Sequence, residues 1–110
     1  MKELIFTGDS LKRVRSFPVD VRRDAGRKLL TVQQGDAVSD SKPLVGVAAG
    51  VQELRLWDES GTYRVVFVAK FAEAIYVLHA FQKKTQATTA RDLDLVRRRY
   101  EEVRESRKRI

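Results

Sequence analysis

Five side chains in this sequence could act together on a phosphodiester: Arg55, Arg64, Lys83, Lys84 and His79. Cleaving RNA requires the 2′-hydroxyl to sit in line with the adjacent phosphorus. It also requires a group to take the hydroxyl proton and cations to steady the charge that builds on the phosphate. Arginine suits the last task because it stays charged and grips phosphate with a two-pronged fork. A lysine held among other cations releases its proton more readily, which fits a general base or acid. A structural reading stands beside this one. Arg64, and Lys70 further along the same run, also serve as rim charges that keep a sheet from aggregating. His79 shares an alternating strand pattern with Ile75, Val77 and Phe81, where a single histidine is commonly a hydrogen-bonded core residue. Tyr63 and Phe81 could stack on bases or fill the core. Trp57, at a strand end beside a turn, could be a contact residue or a lid.

Composition narrows the chemistry. The chain has 110 residues, 43% of them apolar, which predicts one folded domain spanning 1–110. Lysine and arginine number 22 against 15 acidic residues, a net charge of +7. Such an excess favours anionic partners, with nucleic acid or the ribosome ahead of a membrane surface or an acidic protein. There is no cysteine, hence no disulfide, thiolate metal site or cysteine nucleophile, and this fits a reducing cytoplasm. The single histidine rules out a histidine-rich metal site or a two-histidine ribonuclease pair within one monomer. Gly46 and Gly50 lack the spacing of a phosphate-binding loop, so no cofactor or metal is expected. No apolar run approaches a membrane span, and Met1-Lys2 leads straight into a short strand instead of a secretory signal.

The elements that must position these residues follow from periodicity. Val51–Trp57, Tyr63–Lys70 and Ala74–Phe81 are rich in β-branched and aromatic residues and are separated by short turn signals. They predict an antiparallel three-strand meander. Tyr63, Val65, Phe67 and Ala69 fall on one face of the second strand and Arg64, Val66, Val68 and Lys70 on the other. Upstream, Lys2–Thr7 reads as a strand, and Asp9 or Ser10 as the cap of a short helix with the stripe Leu11, Val14, Phe17. Pro18 opens a second helix, in which Val21, Ala25, Leu29 and Val32 form the buried stripe and Gly35 ends the run. A helix-turn-helix DNA reader over Leu11–Gln34 is disfavoured by that proline junction. Asp36–Gly50 reads as a loop crossing the domain, mobile near Ser39–Lys42. Thr89, followed by Asp92, marks the cap of a last helix running to about Arg107 with the stripe Leu93, Val96, Tyr100, Val103. Both meander faces carry apolar residues, and helices packed on one of them would meet that demand. The fold class is therefore α+β. Arg22, Arg23, Arg27, Lys28, Arg97 and Arg98 point outward as candidate RNA or ribosome contacts, or as plain solvated helix faces.

Four pieces in order resemble the RelE/ParE toxin superfamily, and more closely its phage-derived HigB-type branch. They are Pro43-Leu44-Val45-Gly46, Gly50-Val51-Gln52-Glu53-Leu54-Arg55, Tyr63-Arg64-Val65 and Leu78-His79-Ala80-Phe81-Gln82-Lys83-Lys84-Thr85. Thr88-Thr89 stands where members often carry proline, and the Ser106–Ile110 tail is more basic than the pattern requires. The resemblance implies a toxin of a type II toxin–antitoxin pair that cleaves mRNA in the ribosomal A site without a metal, leaving a 2′,3′-cyclic phosphate or 3′-phosphate. Arg64 matches the superfamily's phosphate-binding arginine, Lys83 and Lys84 its basic residue after the last strand, and Arg55 and His79 the branch pattern. The implied partners are the ribosome with its mRNA and an antitoxin whose helix-turn-helix domain binds operator DNA. The fold also suits a gyrase-directed poison of the ParE kind, or a non-catalytic prophage-derived binding module.

Overall fold

Alternating apolar residues over the middle of the chain do form strands, and they run longer than their apolar cores. The computed structural model describes residues 1–109. Among these the order is β1 (Glu3–Phe6), α1 (Ser10–Arg15), α2 (Val19–Gln33), β2 (Ser41–Pro43), β3 (Val51–Asp58), β4 (Gly61–Val68), β5 (Ala74–Lys83) and α3 (Ala90–Lys108). Ile110, the end of the basic tail, lies outside the described residues. The expected meander β3-β4-β5 is the centre of a five-stranded sheet ordered β1-β5-β4-β3-β2. β1 runs parallel to β5, and the other neighbours are antiparallel. The β3–β4 turn closes tightly because Asp58 Oδ1 accepts from the Ser60 amide at 2.8 Å and its hydroxyl at 2.6 Å.

The Asp36–Gly50 segment is not wholly a loop. Ser41 and Lys42 pair with Leu54 and Glu53, adding β2 as a short edge strand that Pro43 blunts. Three residues carry too little pattern to stand out in sequence. Neither Asp9 nor Ser10 caps α1 with its side chain. Asp9 instead binds Arg13 and Arg99. Pro18 caps α2, and Gly35, with φ of 87°, ends it as the spacing requires.

Helices cover both faces of the sheet, not one. On the first face Val14 of α1, Phe17 of the link that follows it and Val21, Ala25 and Leu29 of α2 pack on Leu54, Leu56, Val65, Phe67, Ile75, Val77 and Ala80. On the second, Val96, Tyr100 and Val103 of α3 pack on Val51, Val66, Val68, Leu78 and Phe81, with Leu44 closing the side. Each fully buried leucine, valine or phenylalanine contributes about 1.5–3 kcal/mol.

A bulge in β5 changes the expected strand faces. Val66 pairs with His79, and its neighbour Phe67 pairs with Val77, leaving Leu78 as the extra residue. His79 and Phe81 therefore leave the face of Ile75 and Val77 and turn toward α3, and Ala80 takes the opposite side. Arg99 holds this kink. Its Nη1 donates to the Leu78 carbonyl at 2.9 Å and its Nη2 to Asp9 at 2.6 Å. Gly8, with φ of +52°, admits that guanidinium; a Cβ there would stand 2.6 Å from it. Arg99 is therefore buried.

Candidate functional site

Cross-strand register sets three rows on the α3 side of the sheet: Glu53–Val66–His79, Arg55–Arg64–Phe81 and Trp57–Thr62–Lys83. Paired residues on adjacent strands lie about 5 Å apart. Arg55 and Arg64 face each other as like charges, with Lys83 one row beyond. Glu53 is the one carboxylate among these positions. Its Oε1 accepts from Arg64 Nε at 3.0 Å and its Oε2 from the Thr88 hydroxyl at 3.1 Å. Arg64 Nη1 also donates to the Tyr63 carbonyl at 3.1 Å. Side-chain exposure is 1% for Glu53 and 11% for Arg64. Arg64 is thus a buried, oriented arginine instead of an open rim charge. Arg55 is half-buried, and its Nε has no hydrogen-bond partner. Tyr63 and Phe81 belong to the core. Trp57 is 59% exposed, with Lys28 Nζ 5.3 Å from its ring centroid.

His79 and Lys84 line a neighbouring open cleft of about 580 Å³, walled also by Arg13, Phe81, Gln82, Arg91, Asp92, Leu95 and Arg98. The His79 side chain is 1% exposed and stacks on Phe81 with centroids 5.0 Å apart. Its Nε2 lies 2.8 Å from Asp92 Oδ1. Burial pushes the imidazole pKa below its ordinary value, outweighing the pull of Asp92 toward the charged form. The ring is therefore neutral, Nε2–H donates to Asp92, and the lone pair sits on Nδ1, which is buried without a partner. Asp92 is itself fixed at the start of α3. Its amide donates to Thr89 Oγ1 at 3.2 Å, and its Oδ2 accepts from the Thr89 hydroxyl at 2.8 Å. The threonine-to-aspartate spacing pointed to the cap but not to the second bond from the same carboxylate to His79. Arg13 and Arg91 carry no signal in sequence beyond their charge. Among the described residues no three histidine, cysteine, aspartate or glutamate side chains are placed to hold a metal ion.

The six expected RNA contacts do not form one surface. Arg22, Arg23 and Arg27 are exposed on α2, across the sheet from the cleft. Lys28 is held between Asp24 at 2.8 Å and Asp40 at 2.9 Å. Arg97 donates to the Gly46 carbonyl at 2.8 Å and pairs with Asp94. Arg98 alone of the six lines the cleft.

Residues 12–101 match the model of the phage-derived Gp49-like proteins. The chain belongs to that family. No curated protein matches this Gp49-like chain significantly. Among solved structures, a mutant of E. coli toxin RelE in the free state is similar, with a TM-score of 0.59 and 20% identity. The similarity covers 77% of the Gp49-like chain and 86% of the RelE chain, and the α+β fold is RelE-like. No helix is long and apolar enough to cross a membrane among the described residues.

Proposed function

We propose that this Gp49-like protein is the toxin of a type II toxin–antitoxin pair of the HigB type, and that it cleaves mRNA on the ribosome without a metal. The observation that carries the reading is the register that aligns Arg55 and Arg64 on adjacent strands with Lys83 one row away. Three cations against one carboxylate make an anion site, and the Glu53 bond holds the Arg64 fork in one orientation. In the reaction the 2′-oxygen bonds to phosphorus and the 5′-oxygen leaves, giving a 2′,3′-cyclic phosphate. Arg64 and Arg55 steady the phosphate charge, and Lys83 and Lys84 at the end of β5 exchange the two protons. The ribosome aligns the strand, which offsets the want of a fuller catalytic set. The partner is an antitoxin with a helix-turn-helix domain that binds operator DNA.

Brief induction of the chain without its antitoxin, followed by mapping of mRNA 5′ ends, tests this. Cuts confined to translated regions and in register with codons are expected. They should disappear in Arg55→Ala and in Arg64→Lys, which keeps a charge opposite Glu53 but loses the fork. Intact mRNA with arrested growth would point instead to a protein target, and intact mRNA with normal growth to a binding module.

A further inference from the structure

Every aromatic side chain but one lies in the two cores or packs against them. The exception is Trp57, exposed near the end of β3. β2 pairs with β3 only opposite Gln52, Glu53 and Leu54, so no strand covers the outer edge of β3 where the indole lies. A lone exposed apolar residue needs no explanation, but this ring is braced. Lys28 Nζ stands 5.3 Å from its centroid. That ammonium is held in turn by Asp24 at 2.8 Å and Asp40 at 2.9 Å, and its side chain is only 18% exposed. The attraction between a cation and a ring face therefore fixes the indole from one side. With that side on Lys28 and 59% of the residue exposed, the opposite face is open to solvent.

Trp57 lies two residues beyond Arg55 on the same side of β3, about 7 Å along the strand, and in the row of Lys83. Beyond the ring the chain turns acidic, at Asp58 and Glu59. An anion is therefore held on the Arg55 side, and the uncharged part of the same ligand is what meets the indole. The register neighbours of the ring are Arg55, Thr62 and Lys83. They extend no apolar surface from it, as the core of a docked protein interface would require. A nucleobase requires one open π face and arrives with its phosphate attached. We propose that Trp57 is a nucleobase platform: a base stacks on its open face while Arg55 and Arg64 hold the neighbouring phosphate. A base can reach the indole only outside a duplex, so the ligand is a single strand. Stacking reads a π face and not a hydrogen-bonding edge, so the platform tolerates every base. The inference rests on the reading of the chain as an RNA-acting protein and deepens it, adding an unpaired base to the phosphate that the arginines hold.

Trp57 is the only tryptophan of the chain, so its emission reports on the platform in the full protein. The probes are a short deoxyadenylate strand and an abasic strand with the same phosphates. Neither carries a 2′-hydroxyl, so neither can be cleaved. The deoxyadenylate should quench the emission and bind roughly fivefold to hundredfold more tightly than the abasic strand, as the stacking of one base allows. Added salt should weaken both strands together and leave their ratio in place, because they carry equal charge. Trp57→Leu should bring the two strands to one affinity, and Trp57→Phe should keep part of the ratio. Both variants replace an exposed side chain and should unfold at the parent's urea midpoint. Equal affinities in the parent, emission that the deoxyadenylate leaves unchanged, or a ratio that survives Trp57→Leu would each overturn the proposal. None of these readings needs mRNA cleavage. A chain that passes them and cuts no message would remove the nuclease reading and leave the platform; a chain that cuts in codon register and fails them would do the reverse.

Discussion

The two faces of the one sheet are built differently. Under α1 and α2, the strands present Leu54, Leu56, Val65, Phe67, Ile75, Val77 and Ala80, all apolar and nearly sealed. Under α3, Val51, Val66, Val68 and Leu78 share their side with Glu53, Arg55, Arg64 and His79. The same strands supply both sets, so the contrast lies in alternating side chains and not in topology. A buried ion pair adds little net stability over apolar residues of the same shape. The fold alone thus accounts for the first face and leaves the Glu53–Arg64 pair on the second unexplained. The proposed role of Arg64 in anion binding would account for it.

The largest expected effect falls on the sealed face. Phe67→Ala should lower unfolding free energy by about 4 kcal/mol in a urea titration, with cleavage per folded molecule unchanged. Cleavage that falls in proportion to the lost packing would mean the two faces are not separable. On the α3 face, Glu53→Gln leaves the buried Arg64 charge without its partner and should cost about 3 kcal/mol. The double change Glu53→Leu/Arg64→Leu sharpens the contrast. It removes both charges together, so stability should stay within about 1 kcal/mol of the parent, and cleavage should be lost. A double variant that folds and still cuts would make the pair purely structural.

Much of the first face is legible in the sequence. Tyr63, Val65 and Phe67 alternate, and Val21, Ala25 and Leu29 repeat on one helix side, because those positions answer to a single apolar layer. The second face was legible only in part. Arg64 and Lys83 stood out as cations on apolar strands, but the Glu53 bond that buries Arg64 depends on cross-strand register, which one strand's sequence does not carry. The Leu78 bulge defeated the parity of β5. Nothing local to Leu78 marks it, because its carbonyl is held by Arg99, 21 residues further on. The extra strand β2 was missed for the opposite reason: its pairing comes from β3, and its own three residues end in a proline.

Gly8→Ala tests what keeps the two faces in phase. The substitution forces a side chain into the left-handed region and against the Arg99 guanidinium, and should cost about 2 kcal/mol. Amide exchange should quicken around Leu78 and His79 on β5 while the centre of β3 stays protected. Uniform loosening would show that Arg99 does not specifically hold the bulge.

The smallest effects are pH limbs, the upper from the α3 face and the lower chiefly from Asp9, which binds Arg13 of α1 as well as Arg99 of α3. His79 has a folded pKa below its ordinary 6.5, chiefly because it is buried, with Asp92 opposing and Arg13 and Arg99 adding to the shift. The unfolded chain then takes up the proton first, so stability is complete above about pH 6.5 and declines as pH falls below it. Asp9 behaves as a carboxylate held down to about 2 by Arg13 and then Arg99. Its contribution is present above its ordinary 3.8 and disappears as pH falls toward 2. With 42% of its side chain exposed, solvent screening keeps that contribution to less than about 1 kcal/mol. Glu73, held near the same value by Arg107, titrates in the same range. Urea titrations across pH should therefore show an upper limb that His79→Gln flattens and a lower limb that Asp9→Asn flattens only in part. If the upper limb survives His79→Gln, the imidazole is not the neutral, buried group that the Asp92 bond requires, and the lone pair on Nδ1 would have to be reassigned.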